Sequence, residues 1–263
     1  MSEILHPDIE QRLRPVKSIL VSQPTPNPAV PSPYTDLAKK YDIKIDFRSF
    51  IEVQPISAKD FRKQKINIAE HTAVIFTSRN AVTHFFDVCK EARVDVSPEM
   101  KYFCVSDQTA NYLQKFILVR KRKIFSGDKT AADLFPIFKK HKTEKYLFPC
   151  SNVRKEDIPE FMQKNGYNMT EMVLYKTVSS DLSDLSDVNY DMLAFFSPSG
   201  IASLFENFPD FKQNNTRIAA FGPTTAAAVR SAGLILDVEA PMPNAPSMTG
   251  AIENYIKRAN NLV

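Results

Sequence analysis

Short apolar runs rich in β-branched and aromatic residues recur along the chain, and nearly every one is followed by a segment whose apolar residues return at helical spacing. The clearest runs are SILVS at 18–22, AVIFTS at 73–78, YFCVS at 102–106, YLFPC at 146–150, MLAFFS at 192–197 and IAAFG at 218–222. A run that is apolar throughout suits a strand buried on both faces, and the intervening helices supply the crossovers that parallel strands need. The pattern predicts an α/β fold with parallel sheets flanked by helices.

Two longer stretches break this rhythm. Residues 42–54 and 168–178 alternate partly between apolar and polar positions, which predicts a pair of linker strands. Paired side by side, they enclose an inserted α/β domain at 55–167 and leave a discontinuous α/β domain made of 1–41 plus 179–263. The first connection of the discontinuous domain holds Pro24, Pro26, Pro28, Pro31 and Pro33, which suits an extended loop. The two domains also carry a faint repeat. AVIFTSRNAVTHFF at 73–86 lies on MLAFFSPSGIASLF at 192–205, and KYFCVSDQTANYL at 101–113 lies on RIAAFGPTTAAAV at 217–229. Ser78 then falls on Ser197, and Thr109 on Thr225. Two strand–turn–helix units in the same order point to two similar domains, with the functional site expected in the cleft between them.

The 263-residue length exceeds one ordinary compact domain, and the 43% apolar content suffices for a sizeable core. Charge narrows the class of partner. Lys and Arg number 34 against 30 Asp and Glu, a formal charge of +4, and the basic run Arg120 to Lys123 reads as a solvated strand edge. No nucleic-acid partner is expected, and no membrane contact, since no apolar run is long enough to span a bilayer. The N-terminal segment lacks the apolar core of a signal peptide, and Cys89, Cys104 and Cys150 read as reduced core thiols, so the expected location is cytoplasmic. The six glycines form no dinucleotide fingerprint or phosphate-binding loop, and His6, His71, His84 and His141 are scattered without metal-ligand spacing. Neither a nucleotide, a metal nor an organic cofactor is expected. With two similar domains in one chain and no obvious exposed apolar stripe, a monomer is expected.

Candidate chemistry gathers where strands end and helices begin, at TSRN, SDQT, SPSG and GPTT. Residues of these types cap helices by accepting the unpaired N–H groups of the first turn, and capping alone explains any one of them. Together, at the carboxyl ends of parallel strands, they would also line a ligand crevice. Helix N-termini carry partial positive charge, so such a crevice favours an anion, each charge-assisted hydrogen bond contributing about 1.5–3 kcal/mol. Tyr175, at the end of the second linker strand, has two readings that the sequence leaves open. It is a buried structural tyrosine, or a phenol of ordinary pKa about 10 that stays protonated at neutral pH and donates to a departing oxygen.

VIFTSRNAV, SDQTA, VLYKTV, FFSPSGI and AAFGPTTAAAVRSAG followed by APMPNAPSMTGAI, in this order over nearly the whole chain, resemble the uroporphyrinogen-III synthase family. The resemblance implies an enzyme of haem biosynthesis that closes the linear tetrapyrrole hydroxymethylbilane into uroporphyrinogen III. The last pyrrole ring is inverted on the way, without metal or organic cofactor. Such a substrate is rich in carboxylates, in keeping with a crevice of helix N-termini. On the family pattern Tyr175 is the candidate acid assisting loss of the terminal hydroxyl, while Ser78, Thr109, Ser197, Thr224 and Thr225 bind carboxylates. Arg79 and backbone amides near Ser151 and Asn152 join that set, and transient hand-off from hydroxymethylbilane synthase is a further implication. The chain departs from the family pattern in places. Gln23 follows the first strand where arginine is usual, and Asp107 would repel carboxylates unless it caps its own helix. Phe116 or Ile117 stands where a helix-ending glycine is common, although Gly233 is kept in the matching turn. Rival classes make other demands: a non-enzymatic two-lobed binding or sensory module for an anion does without Tyr175, and a sugar-nucleotide transferase needs a nucleoside-diphosphate site.

Overall fold

The computed structural model describes residues 12–118, 121–185 and 189–260; His6, Arg120 and the N-terminal segment up to Gln11 lie outside the described residues. The chain forms two compact units, Met1–Glu52 with Val178–Val263, and Val53–Thr177. In chain order the first unit opens with β1 (Ser18–Val21), α1 (Pro33–Tyr41) and β2 (Lys44–Phe47). Next come β3 (Ile51–Pro55), α2 (Ala58–Lys63), β4 (Ala73–Phe76), α3 (Arg79–Ala92), β5 (Lys101–Cys104) and α4 (Asp107–Tyr112). They are followed by β6 (Ile124–Ser126), α5 (Phe135–Phe138), β7 (Lys145–Ser151), α6 (Asp157–Lys164) and β8 (Asn168–Ser179). The chain closes with β9 (Met192–Phe195), α7 (Pro198–Asn207), β10 (Arg217–Phe221), α8 (Pro223–Ser231), β11 (Val238–Ala240) and α9 (Met248–Ala259).

In the first unit the five strands lie in the order β11-β10-β9-β1-β2, with every neighbouring pair parallel. The second unit's sheet has the order β3-β8-β7-β4-β5-β6, parallel from β8 to β6. β3 joins β8 in the antiparallel sense: the Ile56 N–H bonds the Leu174 carbonyl and the Ser180 N–H bonds the Phe50 carbonyl, each at 3.0 Å. In space β11-β10-β9-β1-β2 and β6-β5-β4-β7-β8 follow one plan. Along the chain that plan is permuted, because β1 and β2 precede β9 whereas β7 and β8 follow β6. The permutation lets the second unit stand as an insertion between β2 and β9.

Burial explains why the central strands carry no polar alternation. All residues of β4 and β9 are buried. Val74 and Phe76 enter one apolar cluster and Ala73 and Ile75 another, just as Met192 and Ala194 separate from Leu193 and Phe195. Alternate side chains therefore meet a core on each face of the sheet.

Residues 42–54, expected as one linker strand, divide between two sheets. Asp42 closes α1 in the left-handed region (φ 51°), β2 pairs with β1, and only β3 reaches β8. The break lies at Phe50, only 1% exposed, whose ring packs edge-on against Phe195 with centroids 5.6 Å apart. Its burial in the first unit's core interrupts an alternation that is continuous in the sequence. The proline-rich connection is irregular as expected, ending where Ser32 caps α1 and Pro33 takes its first position. The edge strands β6 and β11, three residues each, are too short to stand out as apolar runs.

Candidate active site

Among the described residues four helices of at least six residues begin immediately after parallel strands, two in each unit, and how each first turn is satisfied decides what it can offer a ligand. Ser78 caps α3, its hydroxyl accepting from Ala81 N at 3.1 Å, and Ser197 caps α7, accepting from Gly200 N at 3.2 Å. The two serines share an extended conformation, φ −158° and ψ 164° against φ −153° and ψ 153°, as the internal repeat requires. A hydroxyl carries one donor and two acceptor positions, so a serine that accepts from its own helix still has a proton to donate to a carboxylate. Capping and anion binding are therefore compatible uses of the same side chain.

The next pair of junctions differs. Ser106, not Asp107, caps α4, accepting from Thr109 N at 3.4 Å, with the Ser106 and Thr109 hydroxyls 3.2 Å apart. Asp107 occupies the first helical position, where the helix field favours a carboxylate, and accepts from the Ser126 hydroxyl at 2.5 Å. At the equivalent place before α8 stands Gly222 in a positive-φ conformation (87°), which glycine adopts without penalty. It offers no capping side chain, and Pro223 has no N–H, so the amides of Thr224 and Thr225 lack a side-chain cap. Thr109 and Thr225, matched by the repeat, are both buried, at 4% and 1% exposure. Their hydroxyls belong to the helix starts rather than to an open surface, whereas Thr224 and Arg79 are exposed.

Within the second unit the structure gathers Ser78, Ser151, Asn152 and Tyr175. The β7–β8 register shifts between Cys150 and Ser151, so that Ser151 stands opposite Tyr175. Irregularities of this kind re-aim side chains and recur beside active sites. Asn152 fastens the shifted strand: its N–H donates to the Tyr175 carbonyl at 3.2 Å, and its side-chain oxygen accepts from Thr177 N at 2.8 Å. The buried Ser151 hydroxyl donates to Asn152 Oδ1 at 3.0 Å and lies 3.2 Å from the Thr177 hydroxyl.

Tyr175 is 7% exposed and packs among the apolar residues of the second unit's core. Its phenol nevertheless lies within electrostatic reach of Ser78, the cap of α3. Burial raises the phenol above its ordinary pKa while the neighbouring Ser78 pulls it down, and the net shift is upward. The group thus remains protonated at neutral pH, as a proton donor must be. His84, in the second turn of α3, stacks on the ring with centroids 4.9 Å apart and planes 29° from parallel.

Several residues near these positions escape sequence reasoning. Thr177 and His84 meet the site only through tertiary packing. Ser22 ends the first apolar run, and its hydroxyl lies 3.8 Å from where a Cβ on Gly200 would stand, beside the first turn of α7. Its place after a strand, like that of Ser78 and Ser197, was a signal in the sequence. Gln23 follows it, half-buried, its N–H bonded to the Val21 carbonyl at 2.8 Å. After α4 the chain tightens into a 3₁₀ turn and Phe116 has φ −120°, so no left-handed residue is needed there; Gly233 does adopt one, at φ 74°. Cys89, Cys104 and Cys150 are free and buried, and burial pushes the first two thiols up to about 12. Among the described residues no helix is long and apolar enough to cross a membrane.

The family model described as uroporphyrinogen-III synthase HemD matches residues 32–250. The uroporphyrinogen-III synthase of Chlorobaculum parvum is 24% identical over 255 residues, covering 92% of this chain and 100% of that protein. That of Saccharomyces cerevisiae is 26% identical over 176 residues, 58% of this chain and 63% of its own length. Among solved structures, a mutant uroporphyrinogen III synthase from Thermus thermophilus matches with a TM-score of 0.59 at 15% identity, over 94% of this chain and 100% of that one. The uroporphyrinogen-III synthetase of Helicobacter pylori gives a TM-score of 0.59 at 17% identity, over 92% and 99%. The solved structures establish a shared fold, and the family model spans most of the sequence: this chain belongs to the uroporphyrinogen-III synthase family.

Proposed function

We propose that the protein cyclises hydroxymethylbilane to uroporphyrinogen III, with Tyr175 as the proton donor that assists departure of the terminal hydroxyl as water. The observation that carries the reading is the protonated, largely buried Tyr175 phenol beside the helix-capping Ser78, at the point where the β7–β8 register shifts. Loss of water leaves an electrophilic azafulvene. Attack on it by the last ring forms a spiro centre, which reopens and recloses at the other position of that ring. Loss of a ring proton restores aromaticity, so the net change is release of one water. The protein's main task is to hold a flexible chain in the one fold that permits this sequence, which places the barrier reduction in positioning.

The substrate's carboxylates are bound by the Ser78 and Ser197 hydroxyls, by Arg79 and by the uncapped amides of Thr224 and Thr225; the amides near Ser151 and Asn152 are taken internally, by the Tyr175 carbonyl and the Ser151 hydroxyl, and do not join the set. Thr109 and Thr225 support these contacts from within their helices. Several charge-assisted hydrogen bonds of about 1.5–3 kcal/mol each hold a multiply charged ligand without a strongly basic surface, in keeping with a formal charge of only +4. In this reading the enzyme works in the cytoplasm as a monomer, and receives its unstable substrate by brief hand-off from the bilane-forming enzyme. The test is to generate hydroxymethylbilane in situ, add the protein, oxidise, and separate the type I and type III porphyrins. Protein-dependent conversion from type I to type III is expected. Unchanged type I product from folded protein would leave a non-enzymatic anion-binding module as the better account.

A further inference from the structure

We infer that His84 is a positioning residue for Tyr175, its imidazole lying against the phenol ring and setting the direction in which the hydroxyl points. The inference rests on the proposed role of Tyr175 as acid. Ser78 stands only beside the tip of the side chain. The torsion that turns a tyrosine ring about its own axis is broad, so a tip contact leaves the ring free to rotate and tilt. A flat partner on its face removes that freedom, and His84 is such a partner, at 4.9 Å between centroids and 29° between planes. Offset aromatic pairs at this separation favour a defined mutual orientation.

Both neighbours come from one element. Ser78 is the N-cap of α3 and His84 lies in its second turn, so a single helix places one residue beside the phenol tip and another on the ring face. Tyr175 itself sits at the register shift of β8, where the strand alone aims it less firmly than a regular ladder would. Burial holds the half-buried His84 below its ordinary pKa, with Asp87 pulling the other way, so the ring is neutral at neutral pH. A neutral imidazole stacks as a flat plate, without the cationic pull that would favour the phenolate over the proton-carrying form. His84 is not asked to touch substrate or to move a proton.

The experiment measures kcat and KM for type III product in wild type, His84→Ala, His84→Leu, His84→Phe, Tyr175→Phe and the His84→Ala/Tyr175→Phe double variant, with Tm recorded for each. Loosening a catalytic group without removing it is expected to lower kcat about tenfold and leave KM within about twofold in His84→Ala. His84→Leu, which keeps volume without a flat face, is expected to match His84→Ala even should the alanine variant prove unstable. His84→Phe restores most of the lost kcat, and the alanine change adds nothing in the Tyr175→Phe background. Wild-type kcat in His84→Leu, failure of His84→Phe to restore turnover, or the same loss in both tyrosine backgrounds would overturn the inference while Tyr175→Phe stayed slow. Wild-type turnover in Tyr175→Phe would instead remove the acid role, and the positioning role with it.

Discussion

In the second unit, Ser78 before α3 and Ser106 before α4 each accept a first-turn N–H through a side chain. In the first unit Ser197 does the same before α7, but Gly222 stands bare before α8. β8, with Tyr175 near its end, has β2 in its place in the other sheet, and β2 ends at Phe47 with no phenol. The two units thus share strand order and differ in which polar groups they leave available. The first keeps unfilled amides suited to a carboxylate. The second fills its first-turn amides and adds a buried phenol. On the proposed reading the first unit only holds charge, whereas the second holds charge through Ser78 and Arg79 and adds the acid, Tyr175.

The sharpest way to break this contrast is Tyr175→Phe, which deletes one oxygen from a buried ring. General acid catalysis supplies about 10²- to 10⁴-fold, so kcat for type III formation should fall by roughly 10² with KM nearly unchanged, as read by initial rates. An unchanged kcat would return Tyr175 to a structural tyrosine. Gly222→Ala comes next. No atom lies within 4 Å of the new Cβ, so its cost comes from the backbone alone, where φ 87° and ψ 150° suit essentially glycine. A stability loss of about 1–3 kcal/mol, read by denaturant titration, and a severalfold rise in KM are expected.

Ser78→Ala and Ser197→Ala sharpen the comparison further. Each loses a cap worth about 1 kcal/mol. Ser197→Ala should raise KM alone, whereas Ser78→Ala should also lower kcat, because Ser78 stands beside the Tyr175 phenol and acts on it. Identical kinetic profiles for the two variants would contradict the division of roles. The smallest effect is expected at Glu253 on α9, far in kind from the chemistry. Hydrogen bonds from Lys40 and Tyr41 hold its carboxyl down to about 2. A depressed carboxylate stabilises the fold above its unfolded pKa of about 4.3. Its contribution disappears as pH falls from there through about 2. At a largely solvated pair it amounts to less than about 1 kcal/mol, so Glu253→Gln should show a small Tm loss at pH 7 that vanishes near pH 2.

Much of the fold was legible because parallel strands buried on both faces leave unbroken apolar runs, as AVIF and MLAF do. The repeat aligned Ser78 with Ser197 and Thr109 with Thr225, and the structure gives each pair the same helix position. The merged linker strand of residues 42–54 shows the limit. Its alternation is continuous, and only the burial of Phe50 against Phe195 divides it. Site residues were legible where a strand end supplied the signal and hidden where packing did. Ser106 and Thr109 both bring a hydroxyl to the start of α4, and only the backbone geometry, with the Thr109 N–H 3.4 Å from Ser106 Oγ, makes Ser106 the cap. His84 looked like one of several scattered histidines because its distance from Tyr175 in sequence conceals a stacked contact.

The most direct test of the divided roles separates holding from chemistry in a single equilibrium experiment. Uroporphyrinogen III is titrated anaerobically into wild type, Tyr175→Phe and Ser197→Ala, and affinity is read from the quenching of intrinsic tyrosine fluorescence or by calorimetry. Tyr175→Phe should bind as tightly as wild type despite its slow turnover, while Ser197→Ala should bind several times more weakly. Loss of affinity in Tyr175→Phe equal to that in Ser197→Ala would mean that the phenol holds the ligand rather than acting on it, and would contradict the account.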